Sequence, residues 1–460
     1  MSAADAVHAQ TVKVLHVFPS AQSNGTISTN SDGTSVAANL LVSRNTLYGT
    51  AAAGGTNGYG TVFSMGASGS NFTVLHTFAT ASGSPSTNAD GGAPQSGLIL
   101  SGSTLYGAAQ TGGRGGWGTI FSLDTNGANF TVLHAFTNQP DGAWPWGNLL
   151  LAGSTLYGTT AAGGAGLGVG YGTIFSMNTN GSNFIVLHAF TGSPDGVNPM
   201  AGLALSGGTL YGTTQQGGTN GFGTVFSIGT NGTNYTRLRS FTNSPDGNGP
   251  LSGVVVLGNT LYGTTASGGT NNNGVLYSLG TNGANYAILR WFTNNPDGSN
   301  PRGDLVLSGD TLYGITGNGG TNGAGSIFSI ATNGSNSMVL YSYKFASGGF
   351  SPFGGPALAN NTLYASSSQG GGGGGTIISL SLPSTVIVIS NLVLNVDGSV
   401  TINFSGSANG TYLVQAATNL SPPVTWLNVS TNLSAANGTW QYTDTNAISN
   451  PARFFRASTP

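Results

Sequence analysis

Short apolar runs recur along most of this chain, separated by turns rich in Gly, Ser, Thr and Asn. Residues 98–136 show the pattern once, as four runs of four to seven residues that centre on Ile99, Tyr106, Phe121 and Leu133. Runs this short, rich in aromatic and β-branched residues and bounded by glycine, predict strands and not helices. Asn126-Gly127 predicts a type I′ hairpin turn before the last run. The unit therefore reads as one four-stranded antiparallel sheet.

Seven copies of this unit follow one another. A tyrosine in a motif mostly written Leu-Tyr-Gly marks the same place in each copy: Tyr48, Tyr106, Tyr157, Tyr211, Tyr262, Tyr313 and Tyr364. The intervals are 58, 51, 54, 51, 51 and 51 residues. An all-β unit of this length, with four strands per copy, predicts a seven-bladed β-propeller.

The two ends of the array complement each other. Residues 14–18 read as a fourth strand with no unit before it, whereas the seventh copy has second and third strands but no fourth. Pairing the first segment with the last sheet closes the ring and leaves no unpaired edge between the ends. The sequence thus predicts a propeller over residues 11–382, closed by an N-terminal strand.

The period stops after residue 382, and six or seven short alternating runs predict a small β-sandwich over 383–460. This segment resembles the fibronectin-like terminal modules of exported bacterial proteins. Its Trp426 and Trp440 are expected in the core, because a sandwich this small needs large core residues. Residues 1–10 are interpreted as a signal-peptide remnant or a disordered tail.

The repeat itself resembles a known bacterial family. Leu-Tyr-Gly-Thr-Thr, then Gly-Gly, Gly-Thr-Ile-Phe and Val-Leu-His-Ala-Phe, is similar to the tandem repeat called GloVer, and the likeness covers residues 11–381. That family occurs in secreted or surface-anchored proteins. The resemblance implies export and a propeller-like fold, and it implies no established reaction.

Composition narrows the partner classes. Only 5% of residues are charged and the net charge is −2, so the chain has no positive electrostatic field to attract nucleic acid or anionic lipid. Cys is absent, which removes disulfides and thiolate metal sites, and no apolar stretch is long enough to span a bilayer. We expect a secreted or cell-surface monomer with a neutral partner, no cofactor, no metal and no membrane insertion.

Two sets of repeated polar residues invite a functional interpretation. An Asp-Gly pair precedes the tyrosine of six units, with Gly348 in the seventh: Asp32, Asp90, Asp141, Asp195, Asp246 and Asp297. A ring of carboxylates is one interpretation, but a tight turn that needs Asp and Gly is favoured. Fourth-strand positions hold His16, His76, His134 and His188, then Arg239, Arg290 and Tyr341. A structural role is favoured for them, because an outermost strand lies far from a central channel.

Catalytic templates have few candidates in this chain. Glu is absent, so a glycosidase of the two-carboxylate kind would need two Asp residues. Asp304 stands out because the other units place small or amide residues there: Asn39, Gly97, Asn148, Gly202, Gly253 and Gly355. Asp304 with Arg302 is therefore the weak catalytic candidate, in a polysaccharide-active hydrolase or lyase.

One variable position indicates a binding surface. Its occupants in the seven units are Ala37, Gln95, Trp146, Met200, Leu251, Arg302 and Phe353. Trp144 and Arg114 are also unique among the units, and exposed aromatic residues with little charge suit stacking on sugar rings. The predicted ligand-binding residues are Arg114, Trp144, Trp146, Asn148 and Phe353, with loop packing as the alternative.

These observations favour an exported, non-enzymatic propeller that binds neutral glycan or another extracellular polymer through its loop face. The polysaccharide-active enzyme is the first alternative, and a structural protein of the cell envelope is the second.

Overall fold

The computed structural model describes residues 11–23, 25, 27–165, 170–345, 349–370, 372–382, 388–405, 411–418, 424–435, 439–446 and 453–458. The described residues up to Ser381 form one compact unit, and those from Leu382 onward form another. The interpretation of residues 1–10, and the place of Gly348, lie outside the described residues.

Seven antiparallel sheets of the repeat make up the described part of the first unit. The first strands have three residues each: β4 (Leu41–Ser43), β8 (Ile99–Ser101), β12 (Leu150–Ala152), β16 (Ala204–Ser206), β20 (Val255–Leu257), β25 (Val306–Ser308) and β29 (Ala357–Ala359). The second strands are β5 (Thr46–Ala51), β9 (Thr104–Ala109), β13 (Thr155–Thr160), β17 (Thr209–Thr214), β21 (Thr260–Thr265), β26 (Thr311–Asn318) and β30 (Thr362–Ser367). The third strands are β6 (Thr61–Gly66), β10 (Thr119–Asp124), β14 (Thr173–Asn178), β18 (Thr224–Gly229), β22 (Val275–Gly280), β27 (Ser326–Ala331) and β31 (Gly373–Ser381). The fourth strands are β7 (Thr73–Thr77), β11 (Thr131–Ala135), β15 (Ile185–Ala189), β19 (Thr236–Ser240), β23 (Ala287–Trp291), β28 (Met338–Ser342) and, in the last sheet, β1 (Val12–Pro19).

The seventh sheet contains strands from both ends of the array. β1 pairs antiparallel with β31, placing Val14 opposite Ile378 and Val17 opposite Thr376. Two small additions complete the unit, a hairpin of β2 (Gln22–Ser23) with β3 (Ser28–Thr29) and a short strand β24 (Ser299–Pro301) beside β26.

The core lies between neighbouring sheets. Tyr48 and Phe78 of the first sheet pack with Leu105 and Phe121 of the second, and equivalent clusters follow along the array. A similar cluster joins the last sheet to the first and includes Phe18. The repeat tyrosine is therefore a core residue of the boundary between two sheets.

A steric constraint explains why the Leu-Tyr-Gly motif has glycine at its third position. Gly49 lies opposite Phe63 on the neighbouring strand, and a Cβ on Gly49 would lie 2.5 Å from Phe63 Cζ. In the seventh sheet Ala365 takes the glycine's place, and the smaller Ile378 lies opposite. The pair is thus matched in volume.

The predicted type I′ turn at Asn126-Gly127 is wrong, because only Gly127 takes a positive φ (85°). β10 ends at Asp124 and β11 begins at Thr131, so the loop exceeds a two-residue hairpin. Asn126 instead accepts the Ala128 N–H through its Oδ1 at 3.0 Å. Asn is favoured here for that side-chain bond and not for a left-handed backbone.

The second unit holds two three-stranded sheets. One contains β32 (Val388–Leu394), β33 (Val400–Ser405) and β36 (Thr439–Asp444), and the other contains β34 (Thr411–Ala417), β35 (Leu427–Leu433) and β37 (Phe454–Ser458). Trp440 is buried and stacks on Tyr412 at 3.9 Å between ring centroids, so it is a core residue as predicted. Trp426 is half-buried beneath the Arg456 guanidinium.

Candidate functional site

The residues at the variable position of the seven repeats line one small cavity in the first unit. Its lining includes all seven occupants, one from each repeat: Ala37, Gln95, Trp146, Met200, Leu251, Arg302 and Phe353. We call these the rim residues and the space among them the mouth cavity, which has a volume of about 50 Å³. The convergence follows from the repeat, because each rim residue lies just before the first strand of its sheet.

The floor of the mouth cavity is a hydrogen-bonded cluster centred on Asp304. One carboxylate oxygen accepts hydrogen bonds from Asn39 Nδ2 at 2.9 Å and Asn148 Nδ2 at 2.8 Å. The other oxygen accepts the Gly253 N–H at 2.8 Å. We call Asp304, Asn39 and Asn148 the Asp304 hub.

The hub connects repeats that are far apart in the sequence. Asn39 accepts the Gly355 N–H and Asn148 accepts the Gly97 N–H, each through Oδ1 at 2.5 Å. Together with the bonds of Asp304, these contacts link the first, second, third, fifth, sixth and seventh repeats. Both oxygens of Asp304 are therefore held by protein donors, and use of this carboxylate as a base would require the hub to open.

A larger cavity lies on the other side of the hub. It has a volume of about 520 Å³, and its lining includes Leu205, Val256 and Leu307 from three first strands. Asn39, Asn148 and Asp304 line both cavities, so the hub forms the partition between them.

Arg302 is the charged member of the rim. Its Nε donates a hydrogen bond to Asn300 Oδ1, and its guanidinium carbon lies 4.7 Å from the centroid of the Phe353 ring. The side chain is half-buried, and this burial lowers the pKa of Arg302 from its usual value. The mouth cavity thus combines two aromatic rim residues with one held cation.

A comparison with known protein families also identifies the repeat. A family model described as the Gloeobacter/Verrucomicrobia repeat matches residues 85–203 and 166–379, which together cover more than half of the chain. The chain belongs to the Gloeobacter/Verrucomicrobia repeat family. The resemblance inferred from the Leu-Tyr-Gly motifs is thereby confirmed. No curated protein sequence matches this chain.

Solved structures show the kind of fold that these repeats build. An oligogalacturonate lyase in complex with manganese is 11% identical, with a TM-score of 0.50 over 82% of this chain and 97% of its own. PorZ, a surface component of the type-IX secretion system of Porphyromonas gingivalis, is 12% identical, with a TM-score of 0.47 over 95% and 60% of the two chains. The extracellular domain of a B. thetaiotaomicron one-component system is 10% identical, with a TM-score of 0.47 over 93% and 54%. At these identities the likeness concerns the fold alone, which is all-β and propeller-like.

The predicted ligand patch is split within the repeat array. Trp146, Asn148 and Phe353 line the mouth cavity, whereas Trp144 does not. Trp144 is 37% exposed and lies beside Trp117, with ring centroids 6.0 Å apart. The reason is local: Trp144 stands two residues before the rim position, where the backbone is left-handed.

That left-handed position recurs in every repeat. The residues and their φ angles are Ser35 (58°), Ala93 (50°), Trp144 (59°), Asn198 (55°), Gly249 (63°), Asn300 (59°) and Ser351 (53°). Hydrogen bonds from Trp144 N–H to Trp117 O at 2.9 Å and from Ala161 N–H to Trp144 O at 3.0 Å hold the Trp144 backbone. A bulky residue is disfavoured in this conformation.

Arg114 lies elsewhere, in the loop between β9 and β10. Its side chain is exposed, and it is absent from the lining of the mouth cavity. The candidate site thus has two parts, the mouth cavity and the exposed Trp144 beside the half-buried Trp117, and Arg114 belongs to neither.

The repeated Asp and His residues pair with one another. His16 with Asp32, His76 with Asp90, His134 with Asp141 and His188 with Asp195 lie 2.9–3.1 Å apart. Where the fourth strand has Arg, Arg239 pairs with Asp246 and Arg290 with Asp297. Sequence reasoning took the two sets separately and missed this pairing. The available signal was the alternation of His and Arg opposite a constant Asp.

Five of these six pairs also contact an aromatic ring of the next repeat, and Arg290–Asp297 is the exception among the described pairs. His76 stacks on Phe130 at 3.7 Å and His134 stacks on Phe184 at 3.8 Å between ring centroids. Burial alone would raise the pKa of Asp141, but hydrogen bonds from His134 and Thr137 outweigh it and lower the pKa. We call each set of fourth-strand His or Arg, Asp and following aromatic residue a junction clamp.

Among the described residues, no group of three or more His, Cys, Asp or Glu side chains is arranged to hold a metal ion. The described part of the chain also contains no helix long and apolar enough to cross a membrane.

Proposed function

We propose that the seven sheets are the blades of a closed β-propeller that is exported and binds a neutral glycan chain on its loop face. Two features support this proposal, the pairing of β1 with β31 and the convergence of seven equivalent rim residues on one cavity. Export is what the resemblance to the repeat family implies, and the low charge of the chain suits a neutral partner.

The observation that carries the binding function is the conformation of Trp144. A left-handed backbone costs a non-glycine residue on the order of 1 kcal/mol, and five other repeats place Ser, Asn or Gly there. A tryptophan at such a position, 37% exposed and beside a second tryptophan, is not required by the repeat. Strained, exposed aromatic residues favour a role in recognition, and the exposed part of the Trp144 indole offers a surface for a sugar ring.

Catalysis by Asp304 has less support. Its two oxygens accept three hydrogen bonds from the protein, so the carboxylate serves the hub. The enzyme alternative predicts product release from a bound polysaccharide, and the structural alternative predicts no saturable binding to any glycan.

A screen of neutral oligosaccharides, followed by calorimetry on each hit, tests the proposal. Trp144→Asn should weaken binding by about 1–3 kcal/mol, as expected for an aromatic residue central to an interface. The same change relieves strain in the backbone, because Asn tolerates the left-handed conformation that Asn198 and Asn300 adopt.

Trp291→Ala is the matched control, because Trp291 is 42% exposed on the fourth strand β23. It should leave glycan affinity unchanged. Parent-like binding by Trp144→Asn, or equal losses in both variants, would refute the glycan surface, and release of reducing ends would favour the enzyme.

A further inference from the structure

The mouth cavity holds a cation whose hydrogen-bonding capacity is incompletely used. Nε of Arg302 donates to Asn300, but the terminal amino groups of Arg302 have no hydrogen-bond partner among the described residues. No carboxylate of the described chain lies within 4.0 Å of this guanidinium. The two terminal nitrogens are the ones that form the fork used to bind a planar oxyanion.

Arg302 is not required by the repeat. The other rim residues are uncharged, namely Ala37, Gln95, Trp146, Met200, Leu251 and Phe353. The first to fourth strands recur in all seven sheets, and the sixth repeat adds only the short strand β24, so the fold tolerates any of these side chains. The charge at Arg302 therefore calls for an explanation outside the fold.

Asp304 does not serve as the counter-ion. It lies two residues further along the chain, and its oxygens accept hydrogen bonds from Asn39, Asn148 and Gly253 at 2.8–2.9 Å. Those donors neutralise part of its charge and fix it in the floor of the cavity. Burial of Arg302 lowers its pKa, which means that its charged form is less well solvated here than in water.

The size of the mouth cavity limits what can enter. A volume of about 50 Å³ suits a group of a few heavy atoms, since one water needs roughly 10–15 Å³ of such space. A sugar ring is too large, but a carboxylate fits. Trp146 and Phe353 on the rim are placed for contact with the ring that carries it.

We propose that Arg302 forms a subsite for the carboxylate of a uronic acid residue, which enters the mouth cavity while the rest of the chain lies on the loop face. This inference rests on the proposed glycan function and departs from it in one respect, because a uronic acid residue is anionic. The low net charge predicts a neutral partner for the surface as a whole, and Arg302 is the local exception. Binding at this subsite makes no covalent bond and needs no metal.

The test compares four probes by calorimetry: a uronic acid trisaccharide, its methyl ester, a sulfated neutral trisaccharide and a tripeptide with a free C-terminus. The parent should bind the uronate about 10–100-fold more tightly than its ester, the usual range for a hydrogen-bonded charged group. Arg302→Leu should abolish that preference while leaving the ester's affinity unchanged. Leu is a safe replacement because Leu251 occupies the same place in the fifth repeat.

Arg114→Leu is the control, since it removes an exposed arginine outside the cavity, and it should keep the full preference. Equal affinity for acid and ester, or a preference that survives Arg302→Leu, would overturn the subsite. Tighter binding of the sulfated sugar or of the peptide would also overturn it in favour of that ligand. The ester separates the two proposals, because Trp144-dependent ester binding upholds the glycan function even if the acid adds nothing. Absence of all binding overturns both.

Discussion

Asp304→Asn provides a stringent test of the hub. The two side chains have nearly the same shape, but an amide has one acceptor oxygen and one donor nitrogen. In the hub, one carboxylate oxygen receives two side-chain N–H groups and the other receives the Gly253 N–H. Either orientation of the new amide would therefore set a donor against a donor.

Rotation of the Asn39 or Asn148 amide would not remove this donor–donor contact without a further loss. Asn39 and Asn148 already accept backbone N–H groups of Gly355 and Gly97 through Oδ1, so turning either amide breaks another hydrogen bond. The variant loses one of the three hydrogen bonds completely, and the other two become bonds to a neutral amide instead of a charged carboxylate. A bond to a charged group contributes about 1.5–3 kcal/mol and a neutral one about 1 kcal/mol. We expect the free energy of unfolding to fall by about 3 kcal/mol.

Urea unfolding followed by tryptophan fluorescence measures this loss, and Asp310→Asn is the matched control. Asp310 is exposed in the turn between β25 and β26 of the same repeat, so the same change should stay within about 0.5 kcal/mol of the parent. If Asp304→Asn unfolds at the urea concentration of Asp310→Asn, the carboxylate does not hold the repeats together and the hub is refuted.

Three further outcomes follow from the packing. Tyr277 is fully buried, and its hydroxyl has no hydrogen-bond partner in the described structure, so Tyr277→Phe should raise the free energy of unfolding by about 1 kcal/mol. Tyr286→Phe should instead lower the free energy of unfolding, because it removes the hydrogen bond from the Tyr286 hydroxyl to Asp246 O. Equal effects of the two changes in urea unfolding would contradict that expectation. Burial lowers the pKa of His16 in the folded protein, although Asp32 acts in the opposite direction. The unfolded chain therefore binds this proton more readily, and the stabilising contribution of neutral His16 should be lost as pH falls from 6.5 through the folded-state pKa. Melting temperatures of His16→Gln should depend less on pH in that range, and an unchanged dependence contradicts this reasoning. Deleting residues 1–20 removes β1 and exposes the edge of β31, so aggregation or a large fall in melting temperature is expected, and parent-like melting would show that β1 is dispensable.

The repeat could be predicted from the sequence because each strand is short, apolar and bounded by glycine. The motif tyrosines fixed the register, and the variable rim position was found as the place where repeats differ. The hub could not be found in this way. Asn39, Asn148 and Asp304 differ from the glycines of other repeats, but only the convergence in space of residues 156 and 265 positions apart shows that they bond.

The split of the predicted patch has a similar cause. Trp144 and Trp146 are two residues apart, and sequence proximity suggested one surface. The left-handed backbone at Trp144 directs that side chain toward Trp117, while Trp146 lines the mouth cavity. A backbone conformation shared by all repeats is invisible in the residue types, because Ser, Ala, Trp, Asn and Gly all occur there.

The junction clamps have a consequence for how such an array can grow or be re-engineered. Each clamp draws its His or Arg from one repeat, its Asp from the connecting loop and its aromatic ring from the following repeat. A repeat moved alone into another position would carry parts of two clamps, and its new neighbours would have to supply the remaining residues of both. Duplication or grafting should therefore succeed when the exchanged segment begins and ends in the middle of a sheet, so that every boundary is inherited whole.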